Sequence, residues 1–431
     1  MSAPRHIYFS GIGGAGIGPL AQVAKQAGYD VSGSDKQTSS YLDYLAKVGI
    51  TDVHVGQTYE QMAAVHAKQP IDWFVYTSAL PLENPDAPEL KFCTDNGIKH
   101  SKRDEFLNHL LDEQSQKMVA IAGTHGKTTT VAMTVWLFKQ VGFPVSYILP
   151  AKVSFGDMGH FEPSTKFFVY EADEFDRNFL AFHPALSLIS GVSWDHHEIF
   201  PTREDYQQAF RDFIQQSDEL VIWQEDSDYL GLDLPAQTLD NPDFKKITLV
   251  GEYNRRDGWL AVQAVHQITD APIEELIGHV NRFPGLQRRM EELIPGLYTD
   301  YAHTPEKIRG AMSVALETAK ANRKNLVVVY EPLTNRRQHY MADDYKDCFN
   351  GVSKLYWIPS YLAREDPDQK VLTPAELIAR LSDPSIAEAA ERDSSLKATI
   401  QKHLDAGDMV VGMAGGGGNS LDEWLRHEFA T

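Results

Sequence analysis

The sequence has few cysteines and no long apolar run. Only Cys93 and Cys348 occur in 431 residues, too few for a disulfide framework and not spaced as a metal site, which is typical of a reducing compartment. No apolar run approaches the roughly 18 residues that a membrane span needs. The N-terminus enters a strand pattern directly, without the features of a secretory signal. These absences predict a soluble, cytoplasmic protein that does not span a membrane.

Positive charge is also scarce. The formal net charge is -20, from 40 Lys and Arg against 60 Asp and Glu. Phosphate backbones and anionic membranes are held by clustered Lys and Arg, so this balance argues against nucleic acid and membrane surfaces as partners. Any polyanionic ligand must instead be bound locally by helix N-termini, a few cations and metal ions.

The periodicity predicts an α/β fold. A chain of 431 residues is too long for one hydrophobic core. Short apolar strands alternate with amphipathic helices, which is the pattern of parallel sheets. Three blocks emerge, with a polar, helical stretch at 102–116 as the crossing into the second block and a third block beginning near Arg282.

The segment GTHGKTTT, residues 123–130, is typical of a phosphate-binding loop but is shorter than usual. Two residues separate Gly123 from Gly126, whereas the Walker pattern has four. An apolar strand precedes the loop and a helix predicted over 128–141 follows it, so backbone N–H groups and the helix dipole would face an anion. Lys127 would add charge for the β- and γ-phosphates, and Thr128 a hydroxyl for Mg²⁺.

Acidic and imidazole side chains follow two predicted strands of the same block, 166–173 and 185–196. They are Glu171 and Asp173 in YEADEFD, and Asp195 and His196 in SWDHHE. Ligands bind at the carboxyl edge of parallel sheets, and Mg²⁺ prefers oxygen ligands, so Glu171 is a natural ligand and His196 a less usual one. Taken singly, each residue is more often a solvated loop residue.

A second glycine loop lies near the N-terminus. Gly11, Gly13 and Gly16 form the spacing G-x-G-x-x-G after a strand, and Asp35 ends the next strand 19 residues later. The pattern fits a nicotinamide dinucleotide or, more generally, a pyrophosphate cradle for another nucleotide. Spacing alone leaves both open.

Charged residues and glycines of the third block also flank strand ends. Asp300, His303 and the arginines at 288, 289, 336 and 337 would face a nucleotide or an anionic substrate, although each alone is more often a surface charge. The run Gly415–Gly418 fits either a backbone anion site or a tight turn.

Taken together, these motifs resemble the Mur ligase family, the ATP-dependent amide ligases of peptidoglycan synthesis. SGIGGAGIGPLA, VSGSD and YTSALPLENPD resemble its N-terminal domain, AIAGTHGKTTT its shortened phosphate loop, and NRFPGLQRRME and TDYAHTPEKI the joint before its C-terminal domain. The resemblance implies three domains: a Rossmann-like UDP-sugar domain (1–106), a central ATP-binding domain with a parallel sheet of the P-loop ATPase type (107–280), and a Rossmann-like α/β C-terminal domain (281–431).

The resemblance also implies a reaction. ATP and Mg²⁺ would convert the carboxylate of UDP-N-acetylmuramate to an acyl phosphate, which the amine of L-alanine attacks without any protein nucleophile. The expected state is a monomer or a weak homodimer.

Site residues are implied by the same motifs. The catalytic and metal-binding group is Lys127, Glu171 and His196, with Thr128 as a further Mg²⁺ ligand. The ATP contacts are Gly123, Thr124, His125, Gly126, Lys127, Thr128, Thr129, Asn254, Arg289, Asp300 and His303. The UDP-sugar contacts are Gly11, Gly13, Gly14, Gly16, Asp35, Ser78 and Asn84.

The sequence departs from the family pattern at two places. Tyr253 and Asp257 stand where the family has a His and an Asn around Asn254, which affects the expected adenine contact. Phe210 stands where other members have a carbamoylated Lys, which favours the alanine ligase or the related ligase of the murein tripeptide L-Ala-γ-D-Glu-diaminopimelate.

Alternative functions stay open at this stage. The tripeptide ligase is the nearest: DHHEIF and YEPLTNRR favour it slightly, whereas the N-terminal glycine loop favours the alanine ligase. A nicotinamide-dependent oxidoreductase would use the first glycine loop but leave the second unexplained. A nucleotide sensor without turnover is the remaining alternative.

Overall fold

The computed structural model describes residues 5–196, 199–233, 241–362, 365–366, 368–416 and 419–430. The chain divides into two compact units. The first unit comprises Met1–Asp243 and Gly258–Phe283, and the second comprises Phe244–Asp257 and Pro284–Thr431. Two of the three sheets belong to the first unit and the third sheet to the second.

The first sheet is parallel and Rossmann-like. Its strands are β1 (His6–Ser10), β2 (Asp30–Asp35), β3 (Val53–Val55), β4 (Trp73–Tyr76) and β5 (Lys99–Lys102). Its helices are α1 (Gly18–Gln26), α2 (Ser40–Lys47), α3 (Tyr59–Lys68), α4 (Ala79–Glu83), α5 (Pro88–Asn96) and α6 (Arg103–Gln114). The strand order is β3-β2-β1-β4-β5. The order therefore reverses between β1 and β4, and the crevice at their carboxyl ends is where such sheets bind ligands.

The second sheet surrounds the strand that precedes the phosphate loop. Its strands are β6 (Lys117–Ala122), β7 (Ser146–Ile148), β8 (Gly159–His160), β9 (Phe167–Glu171), β10 (Leu186–Ile189) and β11 (Leu220–Ile222). The helices that follow in sequence are α7 (Lys127–Gln140), α8 (Arg203–Gln215), α9 (Gln224–Tyr229), α10 (Glu252–Thr269) and α11 (Ile273–Val280). The order is β11-β10-β6-β9-β7-β8, and only β8 runs antiparallel to its neighbour. In this sheet β6 lies between β9 and β10. Its side chains are mainly apolar because both faces of a central parallel strand are covered.

One predicted strand of this sheet is shorter than expected. The apolar run at 185–196 predicts a single long strand, but β10 ends at Ile189. The next residues bond to the phosphate loop: the carbonyl of Gly191 accepts the N–H of Thr124 at 2.7 Å, and Gly191 has φ 151°. Local contacts with the loop thus replace the strand ladder, and the prediction was wrong beyond Ile189.

The third sheet forms the centre of the second unit. Its strands are β12 (Glu291–Ile294), β13 (Leu297–Asp300), β14 (Leu326–Glu331), β15 (Lys354–Trp357), β16 (Ala387–Ala389) and β17 (Met409–Ala414). Its helices are α12 (Pro305–Ala321), α13 (Asn335–Met341), α14 (Pro374–Ile378), α15 (Ser394–Asp405) and α16 (Leu421–Phe429). The order is β12-β13-β17-β14-β15-β16, with β12 antiparallel to β13. The two central strands, β14 and β17, are buried along their whole length.

The predicted fold class is confirmed: three α/β sheets, each mainly parallel, follow one another along the chain. The domain boundaries at residues 106 and 280 stay a prediction. Among the described residues, no helix has the length and apolar character required to cross a bilayer.

Candidate active site

The short phosphate loop joins β6 to α7 through two glycines with unusual backbone angles. Gly123 has φ 144° and Gly126, which precedes the first residue of α7, has φ 78°. A Cβ at Gly123 would lie 2.6 Å from Oγ of Ser190. Glycine therefore supplies both the conformation and the space. The N-terminal N–H groups of α7, a helix of 14 residues, are available for an anion at this point.

The loop is fixed from the side by the residues that follow β10. Oγ1 of Thr124 donates to the carbonyl of Ser193 at 2.7 Å. The same oxygen lies 2.7 Å from Oη of Tyr206. Ser190 Oγ donates to the carbonyl of His125. A Cβ at Gly191 would collide with the ring of His125. The loop is thus held in one shape before any ligand binds.

Lys127 forms a buried ion pair with Glu174. Its Nζ donates to Oε2 of Glu174 at 2.6 Å and also to the carbonyl of Gly123. The two side chains are 13% and 1% exposed. Burial alone would lower the pKa of Lys127, but Glu174 and nearby carboxylates raise it above its ordinary value. Burial would raise the pKa of Glu174, but Lys127 and His196 hold it below its ordinary value. Both groups are therefore charged at neutral pH.

Glu174 was missed by the sequence-based assignment, which took Glu171 and Asp173 from the same motif. The signal was present, because Glu174 is the last acidic residue of EADE. Motif letters alone do not say which of three neighbouring carboxylates turns inward.

Thr128 and Glu171 meet at the start of α7 and the end of β9. Oγ1 of Thr128 donates to Oε2 of Glu171 at 2.8 Å. This hydroxyl and carboxylate are the oxygen ligands that Mg²⁺ uses together with water and substrate phosphates. Among the described residues, no group of three or more His, Cys, Asp or Glu side chains is arranged to hold a metal by itself.

His196 lies on the other side of the same carboxylate cluster. Its Nε2 is 3.5 Å from Oε1 of Glu174 and 4.0 Å from Oδ2 of Asp195. Its backbone is left-handed, with φ 54°, a conformation that costs energy for a non-glycine residue and clusters at functional sites. The structure therefore brings together Lys127, Glu171, His196, Thr128 and the missed Glu174.

The N-terminal glycine loop follows β1 and is closed by Asp35. Oδ2 of Asp35 accepts the N–H of Gly13 at 2.8 Å, and the N–H groups of Gly11 and Gly14 bond to the carbonyls of Ser34 and Gly11. Gly11 has φ 74°. Asp35 thus fixes the loop.

The other predicted sugar contacts lie in two different settings. Ser78 is buried, and its Oγ donates to Oδ1 of Asn178 at 3.1 Å, which ties the residue after β4 to the segment after β9. Asn84 is exposed at the end of α4. Gly16 lies beside the guanidinium of Arg103.

The remaining predicted ATP contacts belong to the second unit. Nδ2 of Asn254 donates to the carbonyl of Val250 at 2.8 Å. Asp300 accepts the N–H groups of Met290 and Ala302, each at 2.9 Å, and burial raises the pKa of its carboxyl. Arg289 lies over the ring of Tyr301, and His303 packs against the backbone of Gly415. Gly417 and Gly418, at the end of the glycine run, lie outside the described residues.

The position expected for a carbamoylated Lys in other members of the family is apolar here. Phe210 is fully buried, and its ring lies edge-on to that of Phe179 with centroids 5.2 Å apart. Phe210 therefore serves the core of the first unit and offers no amine to a metal.

Comparison with known proteins identifies a family. Residues 6–115 match the family profile "Mur ligase family, catalytic domain", and residues 121–267 match "Mur ligase middle domain". A relative from Lactobacillus acidophilus, named UDP-N-acetylmuramate--L-alanine ligase, is 29% identical over 84% of this chain and 86% of its own. A relative of the same name from Psychrobacter cryohalolentis is 26% identical over 96% of this chain and 93% of its own.

Solved structures share the fold. The UDP-N-acetylmuramate-alanine ligase of Thermotoga maritima has a TM-score of 0.76 at 20% identity and covers 98% of both chains. A murein peptide ligase of Psychrobacter arcticus has a TM-score of 0.66 at 21% identity and covers 96% of both chains.

Fold and site together define an ATP-dependent ligase, with a phosphate loop on one parallel sheet and a glycine loop on another. The chain belongs to the Mur ligase family. The family resemblance seen in the motifs is confirmed.

Proposed function

We propose that this protein joins L-alanine to UDP-N-acetylmuramate at the expense of ATP, in peptidoglycan synthesis. The observation that carries the proposal is the buried pair of Lys127 and Glu174 beside Thr128 and Glu171, at the N-terminus of α7. Relatives named for this reaction match over most of the chain. Because ATP is a cytoplasmic metabolite, the proposed place of the reaction is the cytoplasm, and the proposed state is a monomer or a weak homodimer.

The chemistry has two steps. The carboxylate oxygen of the sugar nucleotide attacks the γ-phosphorus of ATP, and ADP leaves with the electron pair of the broken P–O bond. The amine nitrogen of L-alanine then attacks the acyl carbon, phosphate leaves, and the nitrogen loses a proton. Neither step needs a covalent bond to the protein, so catalysis is positioning and charge stabilisation.

The residues of the first unit have distinct proposed roles. The ammonium of Lys127 stabilises the charge on the transferred phosphoryl group. Glu174 and the carbonyl of Gly123 orient this ammonium by accepting its hydrogen bonds. The loop from Gly123 to Thr129 surrounds the phosphates, which would accept hydrogen bonds from loop N–H groups other than that of Thr124, already bonded to the carbonyl of Gly191. Gly11, Gly13, Gly14 and Gly16 form the cradle of the UDP moiety, kept in shape by Asp35.

Mg²⁺ is part of the proposal, and the residues fit it. Thr128 and Glu171 would hold the ion with ATP oxygens, and His196 is the further proposed ligand. When bound, the ion neutralises phosphate charge. Asn254, Arg289, Asp300 and His303 remain proposed ATP contacts. In the proposed domain organisation, residues 1–106 bind the sugar nucleotide, residues 107–280 bind ATP, and residues 281–431 form the C-terminal domain.

Phosphate release from ATP tests the proposal when each substrate is omitted in turn. We expect release only when UDP-N-acetylmuramate and L-alanine are both present, with L-Ala-γ-D-Glu-diaminopimelate inactive as the amine. Release with the tripeptide but not with L-alanine as the amine, in the presence of UDP-N-acetylmuramate, would identify the tripeptide ligase instead. If neither amine stimulates release, the ligase proposal fails.

A further inference from the structure

Arg103 stands at the junction of the two glycine loops of the first unit. It is the first residue of α6 and follows β5 directly. A Cβ at Gly16, the last glycine of the N-terminal loop, would collide with its Nη1. Its Nη2 lies 3.5 Å from Oδ2 of Asp173, two residues after Glu171. One guanidinium thus touches the proposed UDP cradle and faces the carboxylates beside the phosphate loop.

Among the described residues, the guanidinium has few hydrogen-bond partners for its depth, although Tyr170, Asp173, Asp104 and Glu171 lie within electrostatic reach. The Arg103 side chain is only 17% exposed, and a guanidinium carries five N–H donors. Toward the residues that the structure describes, it makes the ion pair with Asp173 and donates no hydrogen bond. By contrast, the adjacent Lys102, which is 37% exposed, donates to Asp176. Buried cations are normally paired and hydrogen-bonded, so these donors are available for a ligand.

The helix beside Gly16 is also prepared for an anion. Ile17 occupies the position before α1, its side chain makes no capping bond, and the first turn of this nine-residue helix has no acidic side chain. The N–H groups of Ile17 and Gly18 bond to the carbonyl of Gly14, and Pro19 has no N–H, so the helix start offers an anion its dipole rather than a row of open donors. In a chain of net charge -20, a cation next to such a helix start marks a local site for negative charge.

We propose that Arg103 is a substrate-binding residue whose guanidinium binds an anionic group of the sugar nucleotide. The inference rests on the proposed function and names a residue that the glycine fingerprint does not contain. Two groups of the substrate have the right chemistry, the diphosphate and the lactyl carboxylate. Either would be held by the planar fork of Arg103, for which Lys is a poor substitute.

Calorimetric binding to the full-length protein tests the proposal with two ligands. UDP-N-acetylmuramate carries both anionic groups, and UDP-N-acetylglucosamine carries only the diphosphate. We expect Arg103→Gln to weaken binding of UDP-N-acetylmuramate by about 10- to 100-fold, with partial recovery in Arg103→Lys and a KM for ATP within about twofold of wild type. Equal losses for both ligands assign the contact to the diphosphate, and a loss confined to UDP-N-acetylmuramate assigns it to the carboxylate.

Two further variants separate binding from structure. Gly16→Ala keeps the charge but displaces the guanidinium, so it should weaken the sugar nucleotide as well. Arg211→Gln removes an arginine of similar exposure, 25%, that pairs with Glu204, and should leave sugar binding unchanged.

The outcomes distinguish this inference from the proposed function. Unchanged sugar affinity in Arg103→Gln and Gly16→Ala, with wild-type turnover, would overturn the role of Arg103 and leave the ligase proposal standing. A raised KM for ATP with unchanged sugar affinity would also overturn it, because Arg103 would then serve Asp173. If the wild-type protein binds neither sugar nucleotide, the proposed function fails and this inference with it.

Discussion

At the scale of single residues, the site depends on a cation and a carboxylate that are buried together. Nζ of Lys127 lies 2.6 Å from Oε2 of Glu174, and the two side chains are 13% and 1% exposed. Removing one partner of such a pair leaves a buried charge, at a cost of about 3–5 kcal/mol. A single substitution therefore changes both chemistry and stability, and a test has to separate the two.

Replacing Lys127 by Met should lower kcat at least about 100-fold, because the cation that stabilises the transferred phosphoryl group is lost. Steady-state phosphate release measures this effect. The double variant Lys127→Met with Glu174→Gln should regain thermal stability without regaining turnover. Lys139→Met, on the same helix and bonded to the carbonyl of Phe155, is the control. Near-normal turnover in Lys127→Met would remove Lys127 from the reaction.

Asp226 predicts a pH effect on stability. It is buried, and desolvation raises its pKa to about 6, although the N–H of Val192 lowers it in part. The unfolded chain releases this proton near pH 4 and the native state near pH 6. The native state therefore loses stability as pH rises through this window, by about 2–3 kcal/mol.

Asp226→Asn should remove that loss. We expect the variant to have a higher Tm than wild type at pH 7.5 and a similar Tm at pH 4, measured by thermal unfolding. Asp228→Asn, an exposed neighbour on α9, makes the same charge change and should show little difference at either pH. A variant that is less stable than wild type at pH 7.5 would refute the assignment.

At the scale of elements, the phosphate loop works because a neighbouring strand ends early. The residues after β10 bond to the loop, and Gly191 lies against the ring of His125. The loop therefore needs fewer residues than the Walker pattern, since part of its support comes from another segment.

Gly191→Ala should displace His125 and raise the KM for ATP by about 10-fold, because misplaced loop N–H groups lose phosphate contacts. Initial rates at varied ATP measure it. Gly142→Ala is a matched control, with φ 68° and open space around a Cβ. That change should cost about 1 kcal/mol of stability and leave the KM unchanged. Equal KM values in both variants would mean that the loop does not depend on Gly191.

How far the sequence predicts these elements follows from their burial. The strand at 118–123 and the helix at 128–141 were predicted within a residue or two, because β6 is a continuous apolar run and a glycine loop marks where α7 begins. The edge strand β5, with sequence KHSK, is not predicted by the sequence, and only its last residue, Lys102, lies in the stretch interpreted as a polar crossing. Its side chains are half exposed, so no apolar pattern marks it.

At the scale of the whole molecule, the sequence predicts the family and the reaction class better than it predicts the hydrogen bonds and contacts within the site. Motifs fixed the two glycine loops, and the comparisons bear out the family. Three features of the site depend on contacts between residues far apart in sequence: the inward turn of Glu174 toward Lys127, the N–H of Gly13 donating to Asp35, and the approach of Arg103 to Gly16. Such contacts depend on tertiary packing, which spacing does not encode.

The central proposal is that ATP bound at Lys127 activates a sugar carboxylate. The most direct measurement uses UDP-N-acetylmuramate with both carboxylate oxygens replaced by ¹⁸O, in a full reaction with ATP and L-alanine. Because the acyl phosphate keeps one carboxylate oxygen on phosphorus when the amine displaces it, mass spectrometry should find one ¹⁸O atom in each phosphate released. Unlabelled phosphate accompanying amide formation would contradict the account.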